Sequence, residues 1–152
     1  AYVPNGQSLD SEKFQYKILW LKSFIKWTKD LLANNKHVIL TGDFNIAPND
    51  EDCHDPEQWI GKNLVSPIER EYFSKIIDNG FNDSFRFLNP NDQRFSWWDY
   101  RMAGYKRNLG MRIDHILTSK SLKNQLFKSY IDESPRKLER PSDHTPVITQ
   151  LK

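Results

Sequence analysis

The chain has 152 residues and 38% hydrophobic content, about one domain by length and enough apolar side chains for a modest core. A formal charge of +2 decides nothing alone, and no apolar run approaches the ~20 residues of a membrane span. The single cysteine, Cys53, excludes an internal disulfide and fits a reducing compartment, so a cytoplasmic protein without a membrane partner is expected. The chain begins at Ala1 and opens directly into Tyr2-Val3-Pro4-Asn5-Gly6, which reads as the middle of a protein.

Residues 10–33 predict a long amphipathic helix: Phe14, Ile18, Leu21, Ile25 and Leu32 fall near a 3.6-residue period, with Lys13, Lys17, Lys22, Lys26 and Lys29 mostly between them. Asn34-Asn35 ends it. Residues 37–41 (His-Val-Ile-Leu-Thr) predict a buried strand closed by Gly42. Residues 46–65, with three prolines or glycines and several aspartates, read as a long surface loop. Ser66-Pro67-Ile68-Glu69 is a helix start with a capping box, and that helix should stop at Asn79-Gly80. Further strands are expected at 94–98, 112–118 and 146–151, with a short one near 127–131, and a mobile basic connection over 99–111. Strands and helices mix without a βαβ rhythm or a repeat, so the class is α/β or α+β in one domain.

Three strings carry the chemistry: Gly42-Asp43-Phe44-Asn45, Arg112-Ile113-Asp114-His115 and Ser142-Asp143-His144. Carboxylates, an amide and a histidine at strand edges, scattered over a hundred residues, are what a metal-assisted phosphodiesterase site requires, since only the fold can gather so many hard ligands. Asp43 and Asn45, two apart in extended chain, can point to one side, although a turn bonding only nearby backbone would look the same. Asp114 lies in an apolar strand, where a carboxylate needs a cation or a histidine; His144 is the candidate, and a structural salt bridge is the alternative. Asp143 and His144 are adjacent, so both reach one site only if Pro141 and Pro146 keep that segment a loop. His115 should face away from Asp114, His37 reads as a strand-edge histidine, and Cys53-His54-Asp55 lacks partners at metal-ligand spacing.

Phe95, Trp97, Trp98 and Tyr100 cluster beside Arg94, Arg101, Lys106 and Arg107, a combination suited to stacking bases or holding an extruded sugar, with some members serving the core. Lys120, Lys123 and Lys128, then Arg136, Lys137 and Arg140, form basic stretches that suit a polyanion or a solvated surface.

Together the Tyr2–Gly6 string, Gly42–Asn45, Arg94-Phe95-Ser96-Trp97-Trp98-Asp99-Tyr100-Arg101, Asn108–Asp114 and Pro141–Pro146 resemble bacterial exonuclease III, the abasic-site endonuclease family of the endonuclease/exonuclease/phosphatase superfamily. Ser66–Glu71 also looks like that family's helix start. The resemblance implies the C-terminal portion of a DNase I-like four-layer α/β sandwich, Mg²⁺ as cofactor with Mn²⁺ an alternative, and duplex DNA with abasic sites or 3′ ends as substrate. By resemblance Tyr2 contacts the scissile phosphate, and Asp43 works as acid or base. Asn45 holds a phosphate oxygen, Asp114 pairs with His144, and the metal set is Asp43, Asn45, Asp143 and His144. Trp97, Met111 and Ile113, with Arg101, are implied on the DNA side.

The match covers only the later part of that catalytic domain. The expectation is therefore one incomplete domain over 1–152, lacking the N-terminal half with its metal-binding glutamate, inactive alone and a monomer when complete. Two other readings stay open: a phosphatase or phospholipid phosphodiesterase of the same superfamily, and a non-catalytic DNA-binding fragment.

Overall fold

A computed structural model describes residues 1–152 as an α/β unit of seven short strands and three helices. Helix α1 (Glu12–Asn34) starts at Ser11, whose side chain accepts from the Phe14 amide, and buries Phe14, Ile18, Leu21 and Phe24. The same face buries Lys17, which the lysine spacing had placed on the solvent side. Helix α2 (Pro67–Asp78) has the expected capping box: Ser66 accepts from the Glu69 amide while Glu69 accepts from the Ser66 amide. Ser66 is itself buried. Ser66→Ala is expected to cost about 1 kcal/mol, the usual worth of such a cap, and to lower the urea midpoint with an unchanged m-value.

The central sheet has the order β1–β5–β2, with β1 (Ile39–Asp43), β5 (Asp114–Ser119) and β2 (Phe81–Asp83) all antiparallel. Leu40 and Leu117 face each other in register and point with Phe81 towards α1 and α2. Phe44, Phe73 and Ile76 complete this core. A second, smaller cluster joins Ala47, Cys53, Leu64 and Val65 to Met111 and Ile113. Two two-stranded ribbons complete the structure: β3 (Trp97–Trp98) with β4 (Gly110–Met111), and β6 (Leu126–Ile131) with β7 (Val147–Leu151). No helix is long and apolar enough to cross a membrane.

Several boundaries differ from expectation. The first strand runs two residues later than 37–41, and Gly42 lies inside it rather than closing it. A side chain there would collide with the Ala1 carbonyl, because residues 1–3 run parallel to β1 with Val3 N donating to Asp43 O at 2.9 Å. Residues 46–65 are not a free surface loop: Ala47, Cys53, Leu64 and Val65 are buried. The strand expected at 94–98 keeps only two residues, and that at 112–118 is broken at Arg112-Ile113. The connection over 99–111 is tied down, Trp98 Nε1 donating to Asn108 and Tyr105 Oη to Glu133. β2 and the short α3 (Ser84–Leu88) were not foreseen.

Candidate active site

Antiparallel register puts Asp43, the last residue of β1, opposite Asp114, the first of β5. Paired residues share a face, so two carboxylates from segments 71 positions apart meet at one end of the sheet. His144 reaches them from the loop before β7, where an isolated bridge to Trp97 fixes its backbone. Its Nδ1 lies 2.9 and 3.2 Å from the two Asp114 carboxylate oxygens. Asp43, Asp114 and His144 each offer a ligand atom, and these atoms lie within 4.8 Å of one another.

Asn45 is drawn into the same constellation. Its amide N–H donates to Asp43 Oδ1 (2.8 Å), and its Nδ2 donates to Asp43 Oδ2 (3.0 Å) and to the Val3 carbonyl (2.9 Å). Its Oδ1 accepts from Asn5 Nδ2 at 3.1 Å. To make these contacts Asn45 adopts a left-handed backbone with φ of 49°, a conformation Asn and Gly accept more readily than other residues.

The charges interact. Burial, and next the bond from Asn45, act oppositely on Asp43: burial and the nearby Asp114 win, so its carboxyl sits above the usual carboxylate range. Burial pushes His144 down, but its bond to Asp114 and the charges of Asp114, Asp43 and Asp143 outweigh this, so the imidazole sits above its ordinary value. Two crowded carboxylates, one made reluctant to ionise, fit a hard divalent cation: its charge would relieve their repulsion, and carboxylate oxygen is its preferred donor.

The other expected residues are placed as follows. Tyr2 forms a parallel bridge with Asp43, and its side chain is exposed. Asp143 stands beside the cluster, with Oδ2 accepting from Trp97 Nε1 at 3.0 Å rather than joining the three ligand atoms. Trp97 is half-buried, whereas Met111 and Ile113 lie in the smaller core behind it. Arg101 is exposed and paired with Asp99 at 2.5 Å. A cleft of about 300 Å³ runs along Trp97, lined also by Trp59, Arg101, Met102 and Leu109. His115 faces away from Asp114, bonding the Ile46 carbonyl at 2.9 Å. His37 lies outside the strand, against Ser121.

Sequence reasoning missed what supports the site. Arg112 is fully buried; its Nε donates to Asp52 (2.8 Å) and its Nη1 to Asp83 (3.0 Å) and His115 Nδ1 (3.1 Å). Asp52 also takes Arg86 at 2.6 Å. The available signal was a charged residue inside the apolar run Met111–Ile113, the same signal that drew attention to Asp114. Arg136, expected in a basic patch, is buried against the Tyr105, Trp98 and Tyr100 rings, 5.0–5.8 Å from their centroids.

Two paired carboxylates and a histidine thus meet at one end of a helix-backed antiparallel sheet in an α/β protein, a group that could hold a metal ion. The chain belongs to the Endonuclease/Exonuclease/phosphatase family, whose pattern matches residues 6–144. It is 35% identical over 160 aligned residues to exodeoxyribonuclease III of Haemophilus influenzae, covering the whole chain and 60% of that protein. A 3′ phosphatase from Neisseria, solved with a product DNA hairpin, superposes with a TM-score of 0.98 at 42% identity, over 100% of this chain and 59% of that one. An AP endonuclease from Archaeoglobus fulgidus gives 0.93 at 34% identity, over 99% and 59%. The chain thus spans about 60% of the length of these relatives.

Proposed function

We propose that this chain supplies the later part of the catalytic domain of a Mg²⁺-dependent DNA phosphodiesterase of base excision repair, one that cuts beside abasic sites and trims 3′ ends. The observation that carries the reading is the convergence of Asp43, Asp114 and His144 from three distant segments, with the Asn45 amide bonded to Asp43. The relatives named above for acting on DNA support the substrate class.

Asp43 and Asp114 would hold Mg²⁺, with Asp143 and Asn45 next to them and Mn²⁺ a substitute; the cation would polarise a phosphoryl oxygen, while His144 would act on the phosphate itself. Asp43 would exchange a proton with the attacking water or the leaving oxygen. Asp114 accepts from His144 Nδ1, which fixes the tautomer and leaves Nε2 to protonate or hold a phosphate oxygen. Asn45 would donate to a second oxygen and Tyr2 its phenol to the scissile phosphate. Trp97 and Arg101 would meet the DNA strand, with Met111 and Ile113 as the floor beneath Trp97. One incomplete domain, cytoplasmic and monomeric when complete, is part of this reading.

The test is Mg²⁺-dependent incision of a duplex carrying one abasic site, by the chain alone and by the chain combined with the N-terminal portion that its relatives carry. Incision by the mixture alone, abolished by EDTA and by Asp43→Ala, is the expected result. Salt-sensitive duplex binding unaffected by EDTA, without incision in either sample, would replace the enzyme by a DNA-binding fragment.

A further inference from the structure

Lys17 lies on the face of α1 that also buries Phe14, Ile18 and Leu21, and it is fully buried. A buried ammonium is costly unless charge and hydrogen bonds replace the water it loses. Here all three of its protons are used. Nζ donates to the Glu69 carboxylate, to the Asn5 carbonyl at 3.1 Å and to the Asn45 carbonyl at 2.7 Å. Glu69, equally buried, also accepts from Leu64 N (3.0 Å), Ser66 N (3.1 Å) and Ser66 Oγ (2.5 Å), which roots the pair at the start of α2.

The choice of acceptors is informative. For core stability alone, two apolar side chains of similar volume would serve as well as an ion pair. The two backbone carbonyls that Lys17 grips belong instead to Asn5 and Asn45, whose side chains bond each other. Asn45 is also the residue in left-handed backbone beside Asp43, a conformation that persists only where the surroundings hold it. A charge-assisted bond to its own carbonyl is such a restraint.

We propose that Lys17 is a positioning residue. Its ammonium, anchored by Glu69, clasps the segment of Tyr2–Asn5 to the segment of Asp43–Asn45, and so fixes the Asn45 amide against the Asp43 carboxylate. The catalytic consequence rests on the phosphodiesterase reading; the clasp itself does not.

The double substitution Lys17→Met/Glu69→Gln tests this, since it removes both charges together and leaves an amide oxygen for the α2 cap. In the 152-residue chain, the backbone amides of Leu40 and Leu117 should stay as protected as before, while the Asn45 side-chain amide protons exchange at least about tenfold faster. In the chain completed by its N-terminal portion, kcat for incision should fall about 10- to 100-fold with KM for the duplex within about twofold. Unchanged Asn45 exchange in the folded variant would overturn the proposal, and faster exchange with unchanged kcat would reduce the pair to a structural clasp and overturn it too. If the unaltered completed protein fails to incise, the phosphodiesterase reading falls, and Asn45 exchange still decides the clasp. Should the double variant not fold, the unaltered chain decides: nitrogen-labelled lysine must show the Lys17 ammonium coupled through its hydrogen bond to the Asn45 carbonyl carbon, and absence of that coupling would overturn the clasp.

Discussion

Replacing Asp43 with alanine is expected to slow phosphodiester cleavage by the completed protein about 10²- to 10⁴-fold, the usual range for losing a positioned acid or base. The carboxylate receives two bonds from Asn45 and lies in register with Asp114, so one substitution removes a proton acceptor, a cation ligand and the partner that aims the amide. Stability should move the other way. Because burial and Asp114 raise the Asp43 carboxyl above its ordinary range, its ionisation opposes folding in the absence of a cation. That penalty is missing at low pH and appears as pH rises through the ordinary carboxylate range towards the raised value. Asp43→Asn should therefore raise the melting temperature of the metal-free chain at neutral pH and weaken the further rise on adding Mg²⁺. A variant that melts lower than the parent without metal, yet cleaves normally, would remove Asp43 from the centre.

Arg112→Met should cost about 3–5 kcal/mol, because it takes the shared cation from two largely buried carboxylates and leaves Asp52 only Arg86 and Asp83 only His115. For a domain of ordinary stability that is enough to populate the unfolded chain heavily. Burial by itself would push Asp52 and Asp83 up, but Arg112, helped by Arg86 at Asp52 and by His115 at Asp83, holds Asp52 below its ordinary value and Asp83 well below the usual carboxylate range. Their contribution is thus complete above the unfolded carboxylate pKa of about 4 and disappears only as pH falls through the lower folded values. In Arg112→Met the sign reverses: the two groups resist ionisation, and acidification towards about pH 5 should recover part of the loss. Thermal melts across pH would show opposite slopes for parent and variant. Adding Asp52→Asn and Asp83→Asn to Arg112→Met should restore stability at neutral pH relative to the single change, which separates stranded charge from lost packing.

How legible the fold was depended on length and on neighbours. The helices at 12–34 and 67–78 announced themselves through periodic apolar residues and a capping box, both local signals. Phe81–Leu88 was missed because a three-residue strand runs straight into a one-turn helix, and Asn82-Asp83-Ser84 has the composition of a turn. The strand at 39–43 slid by two residues because its limits are set by partners, Asp114–Ser119 on one side and Ala1–Val3 on the other. Asp43, Asn45, Asp114 and His144 stood out as polar residues where apolar sequence predicted a sheet. Lys17 and Arg112 have the same signature, but a lysine in a lysine-rich helix looks solvated until Glu69 and Asn45 are seen around it. Asp143 illustrates the converse: adjacency to His144 left open whether both side chains reach one site, and only the folded chain shows its carboxylate accepting from the indole of Trp97.

The left-handed backbone at position 45 leaves that site a very short alphabet. Alanine there would be penalised twice, once for lacking the amide and once for a backbone that a β-carbon disfavours, so a scan with alanine would read geometry as chemistry. Glycine accepts the same turn of chain and removes only the side chain, whereas aspartate keeps shape and reach but swaps a donor for a charge. The pair Asn45→Gly and Asn45→Asp is the experiment in which the protein's geometry stays still while its chemistry changes.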